Sequence, residues 1–158
     1  VEDVKKGFTI LELIIVLGAL ALFFVMAVPR LSDVRDSTKA ARVQKDLVGM
    51  RIALENFYTA TGEYPDLISE GAKDDLKLVK KESIEGKKVN FAQFLERDSI
   101  PKTPKSGLIE ESNLVIDWDD LEQEGIGGWK YNYIGKTGEI HANLPDNMYN
   151  QLIRWSEE

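Results

Sequence analysis

The sequence predicts an α+β protein: one long N-terminal α-helix, apolar all round in its first half, packed through its second half on a small antiparallel β-sheet. Three observations carry this. Phe8–Val28 is an apolar run with a single ionisable side chain, Glu12. Ala40, Val43, Leu47, Met50, Leu54, Phe57 and Thr61 then recur at three- and four-residue steps, the period of one helix face. Further on, Leu114, Ile116 and Trp118 alternate, and so do Trp129, Tyr131 and Tyr133, which is the period of a strand.

Taken in order, Val1–Gly7 is polar, and Lys5-Lys6-Gly7 leads straight into the apolar run. At about 1.5 Å of rise per residue, Phe8–Val28 matches a hydrocarbon core roughly 30 Å thick. A carboxylate inside such a helix costs roughly 2.5–3.5 kcal/mol, so Glu12 needs a neutralising partner. A secretory signal has its small-residue cleavage site after the apolar region, whereas the candidate here, Gly7, precedes it. Cleavage after Gly7 would leave a new amine on Phe8, one helical turn from Glu12 and opposite to it in charge.

Gly7-Phe8-Thr9-Ile10-Leu11-Glu12-Leu13, followed by an apolar run ending in Ala27-Val28-Pro29-Arg30, resembles the class III signal of type IV pilins and type II secretion pseudopilins. The resemblance implies cleavage after Gly7 by prepilin peptidase and N-methylation of Phe8. It further implies a subunit that starts in the bacterial inner membrane with its head outside the cytoplasm. From there an inner-membrane assembly platform would draw it into a homo-oligomeric helical filament, periplasmic or on the cell surface, with other pilins or pseudopilins as neighbours. Glu12 stands where the family's carboxylate meets the N-terminal amine of an adjacent subunit, and Pro29 closes the assembly segment. The expected divisions are 1–7 leader, 8–28 transmembrane and assembly helix, 29–62 amphipathic second half, and 63–158 globular head. Arg30, Arg35, Lys39, Arg42 and Lys45 follow the span, so a positive-inside count alone would put the head in the cytoplasm. The family topology is preferred, because Asp33, Asp36 and Asp46 are interspersed and whole domains translocate largely regardless of charge. An ordinary single-pass anchor explains Glu12 but not the Gly-Phe junction, Pro29 and the downstream helix together.

Pro29 is expected to kink the helix and Gly62 to end it, with Pro65 preventing its resumption. Between Asp66 and Ser112 the chain is polar and punctuated by Gly71, Gly86 and Gly107; Lys77, Lys80, Lys81, Lys87 and Lys88 read as a solvated surface. Asn90 is placed to cap a short helix over 91–95. Pro101 and Pro104 break regular structure before the sheet. Gly135-Lys136-Thr137-Gly138 links the strand of Trp129, Tyr131 and Tyr133 to Ile140 and Ala142 as a hairpin. Asp146 is expected to cap a terminal helix carrying Met148, Leu152 and Trp155.

The formal net charge of -7 disfavours general nucleic-acid binding, and residues 1–7 contribute nothing to it. The absence of cysteine excludes disulfides, thiol catalysis and Cys-ligated zinc; many type IV pilins carry a C-terminal disulfide, so the balance tilts to a pseudopilin. Gly135-Lys136-Thr137 is not a phosphate loop, since Lys130 stands where that motif needs glycine and a strand follows in place of a helix. Asp117, Asp119, Asp120, Glu122 and Glu124 crowd five carboxylates into eight residues. A solvated acidic loop is the preferred reading; calcium held by Asp117, Asp119 and Asp120 is the alternative, since hard cations take oxygen ligands and major pseudopilins have a calcium loop near the C-terminus. His141 reads as a surface strand residue with no second member for a metal or triad site. No enzyme is expected and no cofactor is required. The reading from another class is a membrane-anchored binding module recognising a ligand through the acidic loop.

Overall fold

The computed structural model describes residues 8–69 and 75–158. The expected leader, the Gly7 junction and Gly71 lie outside them. The chain divides into two compact units, 1–36 and 37–158. One helix, α1 (Ile10–Thr61), is continuous through both, and Pro29 lies inside it without ending it.

In the first unit every side chain from Phe8 to Arg35 is exposed. The apolar part of α1 is long enough to cross a membrane, and none of it is buried. Proline removes one backbone donor from the helix. Three residues on, Ser32 Oγ donates to the Pro29 carbonyl at 2.7 Å.

The second unit is an α+β head built on the amphipathic half of α1. Ala40, Val43, Leu47, Met50, Leu54 and Phe57 are buried as the period requires, together with Ala53. The stripe belongs to one apolar core with Val115, Trp129, Tyr131 and Ile140 of the sheet. Gly62 stops the helix at φ 78°, and its N–H donates to the Tyr58 carbonyl at 2.7 Å. Ile84 N–H also reaches back to the Ala60 carbonyl at 2.9 Å, satisfying a last-turn acceptor. Ile84 lies in the turn between β1 (Lys80–Glu82) and β2 (Lys88–Asn90), an antiparallel pair.

Asn90 caps a 3-10 turn, Phe91–Phe94, in a reciprocal capping box with Gln93. The turn sets the rings of Phe91 and Phe94 edge-on to Phe57, with centroids 5.7 and 5.6 Å away. Beyond it the proline-bearing segment is irregular, and its carbonyls serve the core aromatics. Trp129 Nε1 donates to the Pro101 carbonyl at 2.8 Å, whereas the Tyr131 hydroxyl donates to the Pro65 carbonyl, just after α1, at 3.0 Å. Both rings are fully buried with their polar ends paired, worth roughly 4–6 kcal/mol each in gross area terms.

The main sheet has the order β3–β4–β5, with β3 Val115–Asp117, β4 Trp129–Tyr131 and β5 Ile140–Ala142. β4 and β5 form the expected antiparallel hairpin, with Lys136 at φ 55° in its loop. β3 and β4 run parallel, which corrects the all-antiparallel expectation. Parallel pairing obliges the chain to return from the end of β3 to the start of β4, and residues 118–128, the acidic stretch, make that crossover. Val115 faces the shared core, whereas Ile116, one of the alternating apolar residues, is buried outside that cluster.

Two further expectations are corrected. No terminal α-helix forms: Met148–Asn150 is a 3-10 turn, Asn147, Tyr149 and Asn150 take left-handed φ values of 60, 61 and 53°, and Leu152 is 96% exposed. His141 is 7% exposed, edge-on to Trp118 at 4.8 Å with Nε2 3.3 Å from Glu139 Oε1. The crossover covers the face that alternation alone assigned to solvent.

Candidate functional site

Two places hold the residues singled out by sequence, one in each unit. The first is the start of α1. The Thr9 hydroxyl accepts from Glu12 N–H at 3.2 Å, and both Thr9 N–H and Thr9 Oγ1 donate to Glu12 Oε2 at 3.0 Å. This is a capping box: a first-turn Glu three residues after Thr satisfies donors that have no partner within the helix. The pattern Thr-x-x-Glu is present in the sequence, but sequence reasoning missed it as a cap, since the charge of Glu12 in an apolar run is the stronger signal. The contacts to Glu12 use one carboxylate oxygen, Oε2. Phe8 precedes the helix and is 73% exposed. Gly7 is not among the described residues.

The second place is the crossover 118–128. Asp117 Oδ2 accepts from Asp119 N–H at 3.2 Å, and Asp120 Oδ2 accepts from Gln123 Nε2 at 2.8 Å. Asp117 Oδ1 is buried with no hydrogen-bond partner. Calcium takes about six to eight oxygens. Among the described residues no three His, Cys, Asp or Glu side chains gather in a way that would hold a metal ion, and Asp117 and Asp120 make turn contacts. Glu124 pairs with Lys130 at 3.1 Å.

Asn143, at 1% exposure, fixes this crossover from below, and sequence reasoning overlooked it. Its Oδ1 accepts from Gly125 N–H at 2.8 Å, and its Nδ2 donates to the Gln123 and Gly127 carbonyls at 2.8 and 3.2 Å. Gly128 closes the crossover at φ 82°, where an added Cβ would fall 2.2 Å from the Leu114 carbonyl oxygen. With its ends held in this way, Leu121 stands 72% exposed among Asp119, Asp120 and Glu122.

Comparison of the chain with protein-family models, curated proteins and solved structures returned no match in any of the three.

Proposed function

We propose that the chain is a filament-forming structural subunit of the type IV pilus or type II secretion pseudopilus kind, anchored in a bacterial inner membrane before assembly. The observation that carries this reading is a lone carboxylate in the first turn of α1, whose otherwise apolar, membrane-length opening stretch to Val28 leaves every side chain uncovered. Such a surface requires lipid around it at first and other helices afterwards. Gly18 supports close helix approach, since a Cβ there would meet nothing within 4 Å. The capping box accounts for Glu12 Oε2 only. A neighbour's Phe8 amine, freed by prepilin peptidase, supplies the charge that a buried carboxylate needs, because leaving either ion unpaired inside a filament is expensive.

The capping box also shapes the test. Gln at the third helical position preserves a capping box but carries no charge. Glu12→Gln is therefore expected to insert and be processed normally, with the intact mass of the membrane-extracted protein reduced by Val1–Gly7 and raised by one methyl group. Filaments seen by electron microscopy should nevertheless fall at least tenfold, as with Glu12→Ala. Wild-type filament numbers from Glu12→Gln would show that the charge is dispensable. An intact leader in cells with active prepilin peptidase would return the chain to a plain membrane anchor.

A further inference from the structure

The second unit contains an open groove of about 710 Å³ between α1 and the segment that follows the Phe91–Phe94 turn. Its apolar lining includes Met50, Ile52, Leu95 and Ile100, and Ile52 is 56% exposed. Four cations and two carboxylates edge it: Arg42 and Lys45 are paired with Asp46 and Glu96 of the same lining at 3.6 Å, Lys102 with Glu111 at 3.0 Å, and Arg97 makes no ion pair among the described residues. Gly49 lies in the groove and is exposed. Glycine inside a helix is unfavourable relative to alanine, and here packing within the chain gives no compensation, since a Cβ at Gly49 would meet nothing within 4 Å. A residue that leaves the helix backbone bare beside an apolar, positively edged groove suits the close approach of an outside group that is apolar at its tip and acidic around it.

The chain carries such a group. Leu121 is exposed at the crossover with Asp119, Asp120 and Glu122 beside it, and Asn143 holds the loop in that form before any contact is made. The other strongly exposed leucines have different surroundings: Leu108 lies within the Lys105–Glu110 ion pair, and Leu152 is two residues from Arg154. The crossover and the groove share no lining residue, and within one copy Leu121 remains uncovered.

We infer that the acidic crossover of one copy, led by Leu121, docks in the Gly49–Ile52 groove of the next copy. This contact is heterologous, since it joins two different surfaces, and repetition carries it along an open assembly when the rotation between copies does not close a ring. The inference rests on the filament reading and names the head-to-head contact within it. Preformed loop geometry lowers the ordering cost of docking, and charge complementarity fixes register more than it adds strength.

The test exploits the absence of native cysteine. Ile52→Cys and Leu121→Cys are introduced together in the full chain, expressed in its membrane, and oxidised with copper phenanthroline while filaments are counted by electron microscopy. Filaments with a disulfide ladder of dimers, trimers and higher species, absent from either single variant, support the inference. Filaments without a ladder overturn it and leave the filament reading standing. A ladder without filaments supports the docking contact and overturns the filament reading; neither product overturns both. In the double-cysteine background, Gly49→Leu, which fills the groove with a good helix former, should leave thermal unfolding undiminished and cut the ladder at least tenfold. An undiminished ladder from that folded variant would place Leu121 elsewhere and overturn the inference.

Discussion

Asn143 joins three backbone groups of the crossover to β5 with one side chain, so its removal leaves a half-buried donor and two carbonyls, one of them buried, without that partner. Asn143→Ala is expected to cost about 2–3 kcal/mol, measured by urea unfolding of the full chain in detergent. A loss below about 0.5 kcal/mol would mean that water replaces the amide. Tyr131 gives a pH signature. Burial, with Tyr133 beside it, raises the pKa of its phenol well above the ordinary tyrosine value. A group that holds its proton more tightly when folded contributes stability that is complete below its unfolded pKa, about 10, and is lost as pH rises beyond it. Stability of the wild type should therefore fall above about pH 10. Tyr131→Phe should be about 1 kcal/mol less stable at neutral pH, through the lost bond to Pro65, yet decline less steeply in alkali. Equal alkaline slopes would assign the decline to other groups.

At the scale of elements, what is local in sequence was legible and what depends on a distant partner was not. The stripe from Ala40 to Phe57 was readable because helical period is a local property, and the Asn90 cap because its partner, Gln93, is three residues away. Alternation located β3 and β4 but carries no information about strand direction, so the parallel pair escaped it. β1 and β2 consist largely of lysine and have no apolar alternation to reveal them. Met148, Leu152 and Trp155 mimic helical spacing, but the left-handed residues between them turn the chain so that Trp155 is buried and Leu152 is not. The Glu12 site was legible as a charge in an apolar run, while its Thr9 partner was read only as part of the apolar segment. The docking of α1 on the head concentrates at Phe57, which meets two rings edge-on. Phe57→Ala should cost about 3–5 kcal/mol in thermal or urea unfolding, with the Phe91–Phe94 turn losing amide protection first. Retention of that protection would show that the turn is held by its capping box alone.

For the whole molecule, the two units differ in what they bury. Residues 8–28 expose an apolar surface long enough to cross a membrane, while 37–158 contains its own core. Filament assembly, as proposed, gives each unit its partner: helix against helix for the first, crossover in groove for the second. The register of the β-ladders also has a kinetic consequence. Lys80 pairs with Asn90, Val115 with Trp129 and Trp129 with Ala142, so each pairing closes a short loop. The bond from Arg51 to the Ile140 carbonyl, at 3.1 Å, instead spans 89 positions, and that from Tyr131 to Pro65 spans 66. Loop-closure entropy grows with separation, and contacts distant in sequence are slow to form. The strands can therefore find one another while the amphipathic half of α1 is still unattached, and the arrival of that helix is expected to set the pace of folding.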